Sequence, residues 1–548
     1  MRARAVVILA AAIAVGVAFA TSEGNGSAPN GSSGAPIVLE FPYSTDTEDL
    51  LEPLIEDFNA EGFRHEGREI VVEGEGIASG VAETAIAEGR LKPVIWGPPS
   101  SLWGRLLNHH VGESWVADEN PSLLRSPQVI AMWEPHARAL GWPDAPIGWT
   151  DLLSLATDPD GWATRGRPQY GAFKLGHTNP NSSTSGLSAV AAMYYAVAGG
   201  FTAEEIAGPG VREAVRDIER SIVHYGYTAD DFLDQMARYG PGYAHAVAVQ
   251  ETSLVQFNEE NESVKLVAVY PSEGTFVADY PFIVLRAPWV DDAERAAADV
   301  FQRWLLARIT PELAASDAYR APGAHRTLSP VDAEHGADPA QPEAELQLPP
   351  PEVIATIQAD WNEDRKPANV ALVVDTSGSL SQDGLLQRQQ EALEAFLDEL
   401  RPEDRVAMVT FGTEVFEPVP IAPLGEDEAM LRQTIRDLIP SGQSALYDAV
   451  RAGFSGVRRL EDQTRINAVV VLTDGGDDSS SNTLDDLAEE LGDACDVEGV
   501  VIPVVTVAYG QEADEQALER IAAACQGRAL EATPEDVVEL FRRIALLF

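Results

Sequence analysis

In the last third of this 548-residue chain, carboxylates and hydroxyls fall where apolar strands give way to polar loops. The run Val370-Ala371-Leu372-Val373-Val374 ends in Asp375-Thr376-Ser377-Gly378-Ser379, and the run Ile466 to Leu472 ends in Thr473-Asp474-Gly475. Between them, Ser441-Gly442-Gln443-Ser444-Ala445-Leu446 opens a helix. Asp375, Ser377, Ser379, Ser444 and Asp474 together offer only hard oxygen donors. Such a set suits a hard divalent cation that keeps some of its water, Mg²⁺ first, with Mn²⁺ and Ca²⁺ sharing the same ligand type. A lone Asp-x-Ser-x-Ser is ordinarily a turn with an Asx-type hydrogen bond. Three such segments, in order, at strand and helix ends, favour the metal. No catalytic residue is expected: the sequence shows no nucleophile beside a base and no phosphate loop, and one oxygen-ligated metal does not by itself make a hydrolase.

Those loops need elements to hold them. The unbroken β-branched runs read as strands covered on both faces, which is the signature of a parallel sheet. Leu386, Leu393, Phe396, Leu397 and Leu400 recur at helical spacing after the first loop, and Tyr447, Val450 and Phe454 after the second. This places the polar loops at strand C-termini, where open α/β sheets bind ligands. Further strands are expected at Arg405 to Phe411, Val500 to Tyr509 and Arg528 to Leu530, with helices at Glu515 to Ala524 and after Thr533-Pro534-Glu535. The acidic turn from Gly476 to Ser481 reads as solvated and mobile. Cys495 and Cys525 are the only cysteines, and in an oxidising compartment an isolated pair is expected to form a disulfide, here at the sheet edge opposite the metal loops.

The motif order resembles the von Willebrand factor type A (VWA) family and its metal-ion-dependent adhesion site over residues 368–548. The family's Asp-x-Ser-x-Ser falls on Asp375, Ser377 and Ser379, its later Asp on Asp474, and its distant Thr on Ser444, where a Ser keeps the hydroxyl. The resemblance implies a Rossmann-like, mainly parallel sheet and a metal to which a protein partner's carboxylate adds the last ligand.

Between Ile37 and Ser329, short apolar strands such as Ile37 to Phe41 and Val94-Ile95-Trp96 alternate with helical patterns, as in an α/β domain. Three polar helix starts carry Ser44 and Thr45, Ser100 and Ser101, and Thr184 and Ser185. Any one of these hydroxyls serves as an ordinary helix cap. Converging N-termini would suit an anionic or polyhydroxylated ligand. The segment order, with Gly171 to Gly186 and Val267 to Leu285, resembles type 2 periplasmic solute-binding proteins. The resemblance implies a two-lobed clamshell holding a small solute at Ser44, Thr45, Ser100, Ser101, Thr184 and Ser185, with Gln250, Glu251 and Tyr270 as further candidates.

With 87 acidic against 38 basic residues, a formal charge of −49, the surface repels nucleic acid and anionic headgroups. Residues 1–20 read as a signal peptide or N-terminal anchor, the only expected membrane element, and residues 21–36 as a flexible tether. The clamshell is expected at 37–329, a Pro-, Ala- and Glu-rich linker at 330–367, and the VWA domain at 368–548. Within the linker, Val353, Ile354, Ile357 and Trp361 lie at helical spacing, as a stripe expected to pack one domain against the next. The joint reading is an exported, extracellular, periplasmic or cell-surface, non-enzymatic protein that captures a solute and docks a protein through a metal. The alternative is a solute receptor for an ABC-type uptake system, with the VWA domain as tether or oligomerisation module.

Overall fold

The computed structural model describes residues 34–261, 265–324, 327–382, 384–495, 501–510 and 513–548. The expected signal segment and residues 21–33 of the expected tether lie outside the described residues. The chain divides into two compact units, one ending at Arg365 and the other beginning at Lys366.

The first unit is two-lobed. In lobe 1, β1 (Ile37–Tyr43) pairs in parallel with β2 (Arg68–Gly76), Ile37 opposite Ile70. Ile37, Leu39 and Phe41 are buried while Val38 and Glu40 face out, the alternation of a strand covered on one side. Helix α1 (Glu48–Glu61) lays Leu50, Leu51, Ile55 and Phe58 into the same core. Phe58 meets Phe301 at 4.8 Å and Phe41 meets Phe282 at 5.5 Å, so this aromatic cluster joins segments from both ends of the unit. Each fully buried Phe contributes roughly 1.5–3 kcal/mol. Helices α2 (Ser79–Ala87) and α3 (Ser101–Val111) pack on each other, β3 (Ile95–Trp96) lies beside β1, and a helix over Asp292–Arg308 packs on β1.

Lobe 2 is built on a mixed sheet. Its strands are β4 (Ser126–Trp133), β5 (Leu175–Thr178), β6 (Ile222–Gly226), β7 (Ala246–Gln250), β8 (Leu266–Val269) and β9 (Val277–Ala278). The spatial order is β9-β4-β7-β5-β6, with β8 also on β4. Helices α4 (Thr184–Ala198), α5 (Val211–Glu219), α6 (Ala229–Tyr239) and α7 (Glu251–Glu260) cover it. The strand after β9, β10 (Ile283–Val284), pairs with β3 of lobe 1, so residues 279–282 cross between the lobes. Backbone bridges join Arg125 to Arg320 and Ser122 to Pro281 at the same crossing.

The apolar stripe in the 330–367 stretch forms α8 (Pro351–Asp364), which packs on α3, α4 and α5 of the first unit. Ile354 joins the core of lobe 1, while Trp361 sits beside Tyr225 of lobe 2 at 5.4 Å.

The second unit is a six-stranded sheet with β11 (Ala368–Asp375) and β14 (Ile466–Thr473) at its centre, both wholly buried. Outward on one side lie β12 (Arg405–Phe411) and the edge strand β13 (Val419–Pro423); on the other lie β15 (Val504–Tyr509) and β16 (Arg528–Ala532). Every pairing is parallel except β12 with β13. Helices α9 (Leu385–Glu399), α10 (Leu446–Arg458), α11 (Leu484–Cys495), α12 (Glu515–Ala524) and α13 (Val537–Ala545) belong to the same α/β unit, with a further helix at Leu424–Arg436 packed on α9. Cys495 and Cys525 are disulfide-bonded, and they tie the C-terminal ends of α11 and α12 together.

Candidate metal centre and solute cleft

Sequence places Asp375, Ser377 and Ser379 on one loop, Ser444 on a second and Asp474 on a third; the parallel register of β11 and β14 brings them together. Val374 lies opposite Leu472, so Asp375 and Thr473 end adjacent strands at one edge of the sheet. Thr473 donates its hydroxyl to Asp375 Oδ2 at 2.5 Å, and the Ser377 amide donates to Oδ1 at 2.7 Å. Ser379 donates to Asp474 Oδ1 at 2.9 Å, and the Ser377 and Ser379 hydroxyls stand 2.9 Å apart. The second loop is sewn on by backbone bonds, Ser441 to the Thr376 carbonyl and Gly378 to the Gly442 carbonyl. Hydrogen bonds thus link Ser377 to Asp375 and Ser379 to Asp474, Ser444 lies on the loop joined to them through the backbone, and Asp375, Ser377, Ser444 and Asp474 are each no more than 5% exposed.

Two features of this site are out of balance. The Ser444 hydroxyl is buried and has no hydrogen-bond partner, although buried polar atoms are almost always paired. Burial pushes the Asp375 carboxyl up to about 6, against the hydrogen bonds from Thr473 and Ser377, and the charge of Asp474 adds to the rise. A cation between the loops would relieve both. The donor set is all oxygen, and among the described residues no group of three or more His, Cys, Asp or Glu gathers as an alternative metal cluster.

Sequence reasoning passed over Thr473 and Gln389. Gln389 donates its amide to the Asp375 carbonyl at 2.8 Å and so steadies the loop from α9. Thr473 was visible as a hydroxyl residue ending a strand, but its role needs the strand register. The acidic turn is also better held than expected of a mobile loop. Asp448 accepts from the amides of Ser481 and Asn482, and Asp477 accepts from the Tyr447 amide at the start of α10.

In the clamshell the predicted hydroxyls have other partners. Ser100 caps α3 through the Leu102 amide at 3.2 Å. The Ser101 amide and hydroxyl both donate to Asp279, at 2.8 and 2.5 Å, so an internal carboxylate already fills that helix N-terminus. Thr184 accepts the Trp103 indole of the facing lobe at 2.7 Å, and the Ser185 carbonyl accepts the Gln128 amide. Thr45 is exposed, while Ser44 is buried. Glu251 pairs with Arg320 at 2.6 Å and accepts the Tyr270 hydroxyl. In this structure the start of α3 is occupied by Asp279, and Thr184 at the start of α4 is engaged by Trp103 of the facing lobe.

The family model of bacterial extracellular solute-binding proteins matches residues 40–317, just over half of the chain. The chain belongs to this family. A second family model, the von Willebrand factor type A domain, matches residues 369–541, so a VWA domain follows the solute-binding domain. Among curated relatives, an uncharacterized protein of Mycobacterium tuberculosis strain H37Rv is 26% identical over 39% of this chain and 31% of its own length. An uncharacterized protein of Synechocystis is 25% identical over 40% of this chain and 49% of its own. The chain thus spans from 31% to 49% of these curated relatives. Among solved structures, a periplasmic thiamin binding protein aligns with TM-score 0.43 and 14% identity over 62% of this chain and 99% of that one. A VWA protein of Catenulispora acidiphila aligns with TM-score 0.29 and 20% identity over 33% and 42%.

Proposed function

We propose that this protein is exported, captures a small solute between the lobes of its first unit, and docks a protein partner through a divalent metal, Mg²⁺ first, in its VWA domain. The observation that supports docking is the buried, partnerless Ser444 hydroxyl on a loop joined through the backbone to the Asp375 loop, where Ser379 bonds Asp474 and the donors are all oxygen. Asp375, Ser377, Ser379, Ser444 and Asp474 would hold the ion. Bound there, it would supply concentrated positive charge for a partner's carboxylate. Thr473 and Gln389 would keep Asp375 in place. The reading involves recognition and no bond-making step.

Calorimetric titration of the full chain with Mg²⁺ and Mn²⁺ tests it. One ion per chain is expected, with binding weakened at least tenfold in Asp375→Ala and Ser377→Ala proteins that keep their thermal transition. A folded chain that binds neither ion would remove the docking reading. Family membership would then favour the second reading, a receptor serving an ABC-type uptake system, for which deletion of the solute-binding domain alone should abolish uptake.

A further inference from the structure

This inference rests on the solute-capture reading above and concerns what the cleft accepts. Lobe 1 presents Asp46, in the short turn Thr45–Thr47 before α1. The Tyr280 hydroxyl donates to Asp46 Oδ2 at 2.7 Å, and the Tyr319 hydroxyl to its backbone carbonyl at 2.7 Å. The two tyrosine rings meet edge to face at 5.2 Å. Tyr280 is held at φ +39°, and Ala318, beside Tyr319, at φ +61°. L-residues adopt this left-handed region only where the surroundings impose it. For Tyr280 the imposing bonds are from its amide to the Pro99 carbonyl and from the Leu123 amide to its own carbonyl. Burial raises the Asp46 carboxyl above the usual carboxylate range, against the hydrogen bonds of Ser44 and Tyr280, and its Oδ1 is sealed from solvent.

Lobe 2 answers with more acceptors. Gln128 and Gln250 are direct cross-strand partners on β4 and β7, 2% and 4% exposed, and the Oε1 of each has no partner. Because the Gln128 amide nitrogen donates to the Ser185 carbonyl at 3.3 Å, its carbonyl oxygen is the end left unanswered. Three residues past Gln250, Ser253 bonds the Asp230 carboxyl at the start of α6. Burial pushes the Asp230 carboxyl up to about 6, and the charges of Asp46 on the facing lobe and of its neighbours Asp231 and Asp234 add to the rise. Tyr319 senses Asp46 and Asp230 together.

Buried acceptors without donors are unfavourable, and like charges on facing lobes oppose closure. One ligand chemistry answers both, a positive charge that carries several N–H groups. We propose that the cleft takes an organic ammonium or guanidinium compound, held between Asp46 and Asp230, with the carbonyl oxygens of Gln128 and Gln250 accepting its N–H groups. Neutralising the facing carboxylates would also make closure depend on ligand, as capture requires.

The test is calorimetric titration of the full chain in EDTA, which keeps the VWA loops metal-free, with spermidine, putrescine and agmatine as cationic probes. Sulfate, phosphate and glucose are the counter-probes. At least one cation is expected to bind one-to-one and to lose tenfold or more affinity in each of Asp46→Asn and Asp230→Asn. Gln128→Leu serves as a second variant should either fail to fold. Three outcomes overturn the proposal: no cation binds, cation binding is untouched by all three variants, or a counter-probe binds saturably in their place. Saturable sulfate or glucose binding that the cleft variants abolish would discard the cation but keep solute capture. Silence to all six probes would count against both.

Discussion

The indole N–H of Trp361 donates to a buried carboxylate oxygen of Glu219 at 3.2 Å, which fastens α8 to lobe 2. The same carboxylate accepts the Tyr225 hydroxyl at 2.9 Å and lies 2.9 Å from His177 Nε2. Burial alone would lower the pKa of His177, but the charge and hydrogen bond of Glu219 reverse the shift and raise it. At its other end the helix adds Ile354 to the core of lobe 1, and Arg105 of α3 donates to the carbonyls of Leu348 and Pro349 just ahead of it. One helix thus straps both lobes. Trp361→Phe keeps most of the packing but removes a hydrogen bond to a buried charge, a loss of about 1.5–3 kcal/mol. Urea unfolding at neutral pH should show the first unit destabilised by that amount, with Mg²⁺ binding unchanged.

Gly80 donates its amide to the Ser182 carbonyl across the lobes at 3.0 Å, and a Cβ there would stand 1.8 Å from the Asn181 carbonyl oxygen. Backbone cannot yield as a flexible side chain can. Gly80→Ala should therefore hold the lobes apart. Small-angle scattering should report a larger radius of gyration, and affinity for any cleft ligand should fall at least tenfold.

Ser444→Ala should separate metal binding from stability. In EDTA it removes a buried hydroxyl that has no partner, so the metal-free protein should be as stable as the parent, or more so by about 1 kcal/mol. The rise in melting temperature on adding Mg²⁺ should shrink sharply. Ser444→Thr, which keeps the oxygen, should retain it.

His136 is buried, stacked on Tyr170 at 4.0 Å and His245 at 4.6 Å, and neither ring nitrogen has a hydrogen-bond partner. Burial depresses its pKa to about 4. Between that value and the ordinary imidazole range near 6.5, the unfolded chain binds the proton and the folded one does not. Stability is therefore complete above about pH 6.5 and declines as pH falls towards 4, by about 3 kcal/mol for this residue. His136→Phe should flatten that slope in urea titrations run from pH 7 to 4, at little cost at neutral pH.

Much of the architecture was legible because its signals are local. Continuous β-branched runs announced the central strands of the second unit, since a strand buried on both faces cannot alternate. The oxygen-rich loops were legible because parallel strands must end at a common edge, so three polar loops at strand and helix ends share a neighbourhood whatever the chain between them. The pairing of Cys495 with Cys525 needed only that no other cysteine exists.

The solute cleft was less legible, because hydroxyls at helix starts look alike whether they cap, cross-link or bind. Asp279 lies 178 residues from Ser101, and nothing local announces that it fills that helix N-terminus. Asp46 sat unremarked inside a turn chosen for its hydroxyls, and Asp230 became interesting only when closure set it against Asp46. The stretch from 330 to 367 shows the same limit: its stripe declared a helix, but which surface receives Trp361 depends on Glu219, 142 residues away. The sequence by itself determined the strands, the helices and the oxygen-rich loops, because these follow from side-chain periodicity and turn chemistry over a few residues. Tertiary structure alone decided which polar groups are satisfied and which are left wanting a ligand, because that balance is set by neighbours far apart in the chain.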